Sequence, residues 1–485
     1  MIDELAIETF NEHALAGLAL GVVRDGGLDH FCGLGMADVD AGRDVEPDTI
    51  FRIGSISKTM TAIAVMQLVE EGALELDAAV NELGTRARIE APAPVTVRHL
   101  LTHTSGLGEL RRPTDLVRPV IGLGAKLGAP LPTLAEYYTP PLKTAVAPGS
   151  KWAYANHGFA LLGLVVEDLR GRPFAEVMRE RILAPLGMEH SDFERTERVR
   201  ERLAVGYRLA RGRMRPVKDF EIVVGPAGSC FSTTADMARY VACLAGGGAP
   251  LLQPQTLARM FEPQGERDPA MPAMGLSFFL ERTGGHRVAG HDGGWNGFVS
   301  GLAVAPEGGV GAVAFTNTNT AFAPHVLVAR VLRALLDVDD VAPVVAQHPH
   351  SWPELTGLYK PARGVNTNLR WWPVIGGEVE IVVRNGELVA RAPSPVPQLR
   401  KGVALRAVDP ADPLRLEARV EDWVVPVVFE RGADGEVVAL RTGSTRGGLL
   451  RLHRRPRATS LRLWGRAGAG AGAAVTAAAA WRHFR

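Results

Sequence analysis

The spacing of apolar positions changes from helical to strand-like along the chain, and each change marks a predicted element. The opening segment "MIDELAIETFNEH" predicts a helix over about residues 3–14. The apolar runs "AGLALGVVRDGG" and "LDHFCGLGMADVD" meet at an Asp-Gly-Gly turn, which predicts a β-hairpin. The run "SKTMTAIAVMQLVEEG" returns to helical spacing and ends at Gly72, where a C-terminal cap is expected.

The segments up to residue 336 continue this mixture of helices and strands. Helices are predicted within "PVTVRHLLTHTSGL" and after the turn in "GSKWAYANHGFALLGLVVEDLRG", and "GPAGSCFSTTADMARYVACLAGGG" repeats that pattern. Residues 108–147 are rich in Pro, Gly and Leu without periodicity, which predicts an insertion or lid. Three strand-like runs, at 276–283, 298–309 and 310–319, and a helix over about 322–336 complete a first domain, residues 1–336.

Beyond residue 336 the pattern changes to an alternation with period two. Residues 337–353 are punctuated by proline and predict a linker. "EVEIVVRNGELVARA" and "WVVPVVFERGADGEVVALRTG" alternate around Asn-Gly and Asp-Gly turns, which predicts a small antiparallel barrel or half-barrel over 354–453, roughly a hundred residues. Residues 454–485 are Arg-rich and then Ala/Gly-rich, which predicts a disordered or frayed tail.

Composition narrows the class of protein and of partner. Hydrophobic content of 46% and charged content of 22% are typical of a soluble globular protein, and a net charge of +1 gives no electrostatic indication of nucleic-acid binding. No run reaches about 18 consecutive apolar residues, so no membrane partner is predicted. The start lacks the pattern of a signal peptide, and three cysteines have neither disulfide nor zinc spacing. We therefore expect a cytoplasmic protein that acts on a small molecule.

One lysine stands out in the stretch "FRIGSISKTM". The chain has seven lysines and roughly six times as many arginines, so a lysine is unusual wherever a plain cation would serve. Ser55 and Lys58 are three residues apart at the mouth of a predicted helix and share one face. Burial near the positive end of a helix lowers the pKa of a lysine, toward that of a general base. The alternative is a helix-capping Ser with a solvated Lys.

Two later segments also carry candidate chemistry. Tyr154 and Asn156 lie in a turn, where a phenol beside an ammonium group can carry a proton and an amide can bind a peptide-like group. The alternative is a core aromatic residue with a capping Asn. In "GHDGGWNGF", the glycines after His291 would let a substrate backbone approach an edge strand. Its alternative is a surface turn.

Taken together, the three segments resemble a known family. S-x-x-K, then Y-x-N, then [His/Lys]-x-Gly is the order found in serine hydrolases related to class C β-lactamases and DD-peptidases. The segments "TVRHLLTHTSGL", "PGSKWAYANHGFALLG", "ILAPLGMEHSDF" and "PAGSCFSTTADMARY" are also similar to this family, so the resemblance spans about residues 5–336. The C-terminal β domain resembles the lipocalin-like appendage of some relatives.

The resemblance implies roles for particular residues. Ser55 is similar to the acylated nucleophile, and Lys58 and Tyr154 to the pair that shares general-base duty. Substrate binding is implied for Asn156, His291 and Gly293. The backbone N–H groups of Ser55 and Gly294 would form the oxyanion hole. His291 stands where the family often has Lys.

The other histidines of the family-like segments have a different interpretation. His103, His157 and His190 are interpreted as structural. No spacing of metal ligands occurs, and neither a metal nor a cofactor is predicted. The absence of a G-x-S-x-G elbow disfavours an α/β-hydrolase.

The implied fold is α+β, with an antiparallel sheet flanked by helices, an all-helical subdomain bearing Tyr154, and the small C-terminal antiparallel β domain. The implied function is cleavage of an ester, amide or peptide bond through an acyl-enzyme, without a cofactor. An esterase, a D-aminopeptidase-like amidase or a peptidase fits best, and a penicillin-binding protein-like enzyme with weak β-lactamase activity is compatible. The alternative is a non-catalytic binding or assembly module on the same scaffold.

Overall fold

The computed structural model describes two compact units. The described residues are 1–265, 268, 271–320, 323–338, 345–362, 364, 366–420, 423–444 and 448–461. The first unit contains residues 1–265 and 274–338, and the second contains the described residues from 345 to 461 together with 268 and 271–273.

An antiparallel sheet forms the centre of the first unit. In the described part of the chain it has eight strands: β1 (Gly17–Arg24), β2 (Gly27–Asp38), β3 (Arg43–Asp44), β4 (Ala273–Met274), β5 (Phe279–Thr283), β6 (His286–Trp295), β7 (Phe298–Ala305) and β8 (Val310–Thr316). Their order is β4-β5-β6-β7-β8-β1-β2-β3. Because β1 pairs with β8, in the register Leu18↔Thr316, the two ends of the unit meet in the middle of the sheet.

Helices cover both faces of this sheet. The longer ones are α1 (Ile2–Glu12), α2 (Ser57–Glu70), α3 (Asn156–Arg170), α4 (Thr234–Ala245) and α5 (Ala323–Leu335). Side chains of α1 and α5 pack with Leu18, Leu20 and Val22 on one face. Gly21 points to the other face, where a methyl group would meet Thr234 of α4. The predicted α+β fold, with a sheet flanked by helices, is confirmed.

The predicted hairpin after the first helix and the longer helices lie where the apolar pattern placed them. The subdomain that bears Tyr154 contains α2 and α3, which pack against each other, and also short strands. Shorter helices and turns of the unit are Gly54–Ile56, Val80–Glu82, Val97–Leu101, Pro113–Val117, Pro119–Gly122, Leu134–Tyr137, Phe174–Met178, Arg179–Leu183, Ala184–Leu186, Glu197–Arg202, Gly225–Ala227, Pro254–Met260 and Pro306–Gly308. Short strand pairs are Phe51–Arg52 with Phe231–Ser232, Ile89–Glu90 with Leu142–Lys143, Gly124–Lys126 with Phe220–Ile222, and Tyr207–Ala210 with Arg213–Pro216.

The second unit is a closed antiparallel barrel. Its described residues supply eight strands: β9 (Gly357–Pro361), β10 (Val379–Arg384), β11 (Glu387–Arg391), β12 (Val403–Ala407), β13 (Arg415–Val420), β14 (Trp423–Arg431), β15 (Val437–Ser444) and β16 (Gly448–Arg455). Short helices or turns span Trp352–Leu355, Asn366–Asn368, Trp372–Ile375, Pro397–Lys401 and Arg457–Thr459. Apolar side chains including Tyr359, Ile381, Leu405, Phe429 and Leu452 form the core of the barrel.

The predicted hairpin turns of the barrel are confirmed. Asn385 and Gly386 have φ angles of 53° and 76°, which are the left-handed values that a two-residue hairpin turn requires. Gly435, in the connection between β14 and β15, has a φ of 82°. These local turns join neighbouring strands of the barrel in sequence order.

The barrel begins earlier and ends later than the predicted range 354–453. Trp352, inside the predicted linker, is buried in the barrel core. At the other end β16 runs to Arg455, and Ser460 donates a hydrogen bond to Glu378 Oε1 at 2.8 Å. The remainder of the predicted tail, 462–485, lies outside the described residues. Among the residues that are described, every helix is too short or too polar to cross a bilayer.

Candidate active site

Ser55 lies in a one-turn helix that leads directly into α2. The turn is Gly54–Ile56, and α2 starts at Ser57. Gly54 has a φ of +52°, and a methyl group at its Cα would lie 2.7 Å from the backbone nitrogen of Gly294 on β6. Only glycine therefore lets this turn touch β6. The contact places the backbone of Ser55 beside that of Gly294.

Lys58 is buried in the first turn of α2. Its side chain has no exposed surface, and its Nζ lies 2.8 Å from Ser55 Oγ. Nζ also donates a hydrogen bond to the carbonyl of Ala227 at 2.6 Å. No side chain caps the start of α2. The alternative interpretation, a capping Ser with a solvated Lys, is therefore wrong.

Tyr154 lies beside Lys58 and is held by His103. The Tyr154 ring centre is 4.9 Å from Lys58 Nζ, and the His103 ring stacks on it at 4.2 Å. His103 also binds the backbone on both sides of the tyrosine, because Ala155 N donates to His103 Nδ1 at 3.2 Å and Ala153 N donates to the His103 carbonyl at 2.8 Å. Asn156 is the first residue of α3, and its side chain is buried.

The segment His291–Gly294 lies on β6 where, among the described residues, one side of that strand has no neighbouring strand. β6 pairs with β7 from Ala289 to Trp295, whereas its pairing with β5 ends at Phe279↔Gly290. Gly293 fits against the segment that leads to Ser55, since a methyl group there would lie 1.9 Å from the carbonyl oxygen of Ile53. Gly294 is exposed. The arrangement leaves room for a substrate beside Gly294.

His291 and Asp292 face different surroundings. His291 is buried, its ring lies 5.3 Å from Phe279 and 6.4 Å from Tyr154, and its Nδ1 donates to the Asp292 carbonyl at 2.6 Å. The Asp292 carboxylate instead meets His325 Nδ1 of α5 at 2.8 Å. The strand alternation explains this separation.

The remaining histidines of the family-like segments have structural contacts. His157 Nδ1 lies 3.0 Å from the hydroxyl of Tyr138, and burial lowers the pKa of His157 to about 4. His190 supplies its backbone N–H to Asp236 at 2.8 Å. In the part of the chain that the structure describes, no group of three or more His, Cys, Asp or Glu side chains has a metal-binding arrangement.

The three predicted segments therefore converge on one site. The Ser55 hydroxyl contacts the buried amine of Lys58, the Tyr154 ring lies beside that amine, and Gly294 packs against the turn that contains Ser55. Such an arrangement can activate a nucleophile and stabilise a developing oxyanion. Sequence reasoning missed the Ala227 carbonyl and the stacking role of His103, because both depend on tertiary contacts.

Comparisons with known proteins identify the family of the chain. The family described as Beta-lactamase matches residues 2–336. Penicillin-binding protein 4 of Amycolatopsis lactamdurans is 29% identical over 64% of this chain and 83% of its own length. Esterase EstB of Burkholderia gladioli is 36% identical over 42% of this chain and 54% of its own length. AmpH of Escherichia coli, a D-alanyl-D-alanine-carboxypeptidase/endopeptidase, is 29% identical over 50% and 60%, respectively.

Solved structures share the fold over most of the chain. An octameric penicillin-binding protein homologue from Pyrococcus abyssi superposes with a TM-score of 0.63 at 23% identity, covering 93% of this chain and 98% of that one. SurE superposes with a TM-score of 0.63 at 25% identity, covering 94% and 98%. The matched residues make up more than half of this chain, so the chain belongs to the beta-lactamase family.

Proposed function

We propose that this protein is a serine hydrolase that cleaves an ester or amide bond through an acyl-enzyme on Ser55. The observation that carries the proposal is the position of Lys58, which is fully buried with its amine 2.8 Å from the Ser55 hydroxyl. Relatives of the same family are named as an esterase and as peptidases, which supports hydrolase activity at the level of the family.

The proposed acylation step uses the contacts around Ser55. The unprotonated amine of Lys58 accepts the hydroxyl proton while Ser55 Oγ attacks the carbonyl carbon of the substrate. The N–H groups of Ser55 and Gly294 donate to the oxyanion that forms. Collapse of this intermediate breaks the bond to the leaving group, which takes a proton by way of Lys58 and Tyr154. The acyl group then remains on Ser55.

Deacylation reverses these roles with water in place of the leaving group. Lys58 and Tyr154 together take a proton from water, the resulting hydroxide attacks the acyl carbon, and Ser55 Oγ leaves with a proton returned to it. His103 holds Tyr154 from the side by stacking at 4.2 Å and by binding Ala155 N. Asn156 begins the helix that follows Tyr154 and would hold the amide of the substrate.

His291 supports a preference for neutral substrates. A lysine at this position would be a fixed cation for a substrate carboxylate, whereas a histidine has an ordinary pKa near 6.5 and is a weaker anchor at neutral pH. The His291 ring is surrounded by Phe279 and Tyr154, which favour an apolar group. We therefore propose that short-chain esters or amides are better substrates than penicillins.

The second candidate is a binding or assembly module that has kept the scaffold without turnover. The retained Ser55, Lys58 and Tyr154 in contact weigh against it. Labelling with a fluorophosphonate probe, followed by mass spectrometry of the labelled peptide, separates the two. An enzyme of the proposed kind incorporates one probe molecule on the peptide that contains Ser55. A folded protein that takes up no probe, or takes it up elsewhere, contradicts the proposal.

A further inference from the structure

A single carboxylate connects the two segments that hold the proposed oxyanion donors. Asp219 Oδ1 accepts a hydrogen bond from the indole Nε1 of Trp295 at 3.1 Å and lies 3.0 Å from Arg52 Nε. The backbone N–H of Phe220 also donates to Oδ1, at 2.8 Å, and Arg195 pairs with the other oxygen. The carboxylate is therefore surrounded by donors that come from separate parts of the chain.

The partners of Asp219 lie next to the proposed oxyanion hole. Trp295 directly follows Gly294 on β6, and Arg52 is three residues before Ser55. Both side chains are nearly buried, and the Arg52 guanidinium lies 5.5 Å from the Trp295 ring. Burial lowers the pKa of Arg52 to about 10, and the charge of Asp219 opposes that shift. Asp219 thus stabilises a buried cation and orients an indole at the same time.

We propose that Asp219 is a positioning residue that fixes the Gly294 N–H relative to the Ser55 N–H. This inference rests on the proposed function, because its catalytic consequence requires an oxyanion at these two groups. Its structural part is independent of turnover, since it concerns how closely two backbone segments are held together. The direct contact between Gly54 and Gly294 would set the minimum distance, and Asp219 would prevent the segments from separating.

Loss of the charge of Asp219 leaves Arg52 and Arg195 without the carboxylate that both contact. Their mutual repulsion would then move the Arg52 segment away from β6. A displacement of about 1 Å at a reacting group lowers a rate by about 100-fold. The effect falls on kcat more than on KM, because the oxyanion donors act in the transition state.

The test compares Asp219→Asn with Glu221→Gln. Glu221 is a matched control, because it lies two residues further on and its carboxylate lies 3.7 Å from Arg195 Nε. With p-nitrophenyl butyrate we expect kcat to fall by about 10- to 100-fold in Asp219→Asn, with KM within threefold of wild type. Hydrogen–deuterium exchange should increase in peptides covering residues 52–58 and 291–297. Glu221→Gln should change kcat by less than twofold and leave both peptides protected.

Each result decides the proposal. An Asp219→Asn protein that keeps kcat within twofold, or that loses activity without faster exchange in the two peptides, overturns it. If this variant fails to fold, Trp295→Phe decides instead, since it removes only the indole donor; an unchanged kcat with unchanged exchange overturns the proposal. A wild-type protein without ester turnover would contradict the proposed function, and the exchange data would still decide the role of Asp219.

Discussion

The two units differ in how far apart along the chain their contacting residues lie. Among the described strands of the barrel, each pairs with the next one in sequence, and only the closing pairing of β9 with β16, which begins at Leu358↔Arg455, joins distant segments. In the first unit Ser55, Tyr154 and His291 come from three separate segments. A barrel of this kind is assembled from local turns, whereas the candidate site depends on long-range packing.

The two units also differ in the role of a buried ionisable side chain, Glu378 in the barrel and Lys58 in the first unit. Glu378 of the barrel meets Lys360 at 3.2 Å and accepts hydrogen bonds from Ser460 and from the backbone of Leu461. Those contacts connect the end of the barrel to its core. Lys58 of the first unit instead contacts a hydroxyl that can give up its proton. A buried ionisable side chain stabilises structure in one unit and is proposed to transfer protons in the other.

The largest expected effect comes from removing the proposed nucleophile. Ser55→Ala should lower ester turnover by about 10⁴-fold or more and abolish probe labelling, because no other hydroxyl would be acylated. The melting temperature should barely change, since the Ser55 side chain caps no helix. Ser57→Ala is the control. The Ser57 hydroxyl donates a hydrogen bond to the Gly54 carbonyl at 2.6 Å, so this variant should still be labelled on Ser55. Persistent labelling of Ser55→Ala would show that the nucleophile lies elsewhere.

The next effect tests whether the buried amine of Lys58 acts as a general base. Lys58→Arg replaces an amine that can lose its proton with a guanidinium that stays protonated, so kcat should fall by about 10²- to 10⁴-fold. The measurement is kcat for p-nitrophenyl acetate at several pH values. Lys143→Arg, at an exposed lysine that pairs with Glu90 at 2.9 Å, should behave as wild type. Near-normal activity of Lys58→Arg would show that Lys58 is only an electrostatic neighbour of Ser55 and not its general base.

A smaller effect concerns substrate choice. His291→Lys introduces a fixed cation beside the proposed site and should move the ratio of kcat/KM for a neutral ester to that for a penicillin by about tenfold, or about 1.4 kcal/mol, toward the penicillin. The comparison requires both substrates and both proteins. His286→Lys, at the start of the same strand, is the matched control and should leave the ratio unchanged. A wild type that already prefers the penicillin would refute this interpretation of His291.

The smallest effect on activity is expected from the barrel. Ile381→Ala removes a fully buried core side chain and should destabilise the barrel by about 2–5 kcal/mol. Limited proteolysis should then cut more readily between residues 357 and 455, while kcat for the ester stays within twofold. Ile63→Ala, an equally buried truncation in α2, should lower stability and activity together. If Ile381→Ala and Ile63→Ala lost activity equally, the two units would not differ in their importance for turnover.

The features that sequence predicts best are those that neighbouring residues determine. The barrel hairpin at Asn385 follows from a two-residue turn, and the contact of Ser55 with Lys58 follows from a three-residue spacing on a helix. Asp219 has no such signal, because its role depends on which segments pack around it. The same is true of the stacking of His103 on Tyr154. A family resemblance brought the three segments together, and their geometry needed the structure.

The tight contact at Gly54 and Gly293 also limits how this site can evolve. Even one added methyl group at either position would overlap the backbone of the opposite segment. A substitution at either position therefore requires both segments to move at the same time. Variation that preserves the proposed nucleophile must therefore accumulate around this contact, at positions such as His291 and its neighbour Phe279. A directed-evolution library that seeks activity on new acyl groups should therefore vary His291 and Phe279.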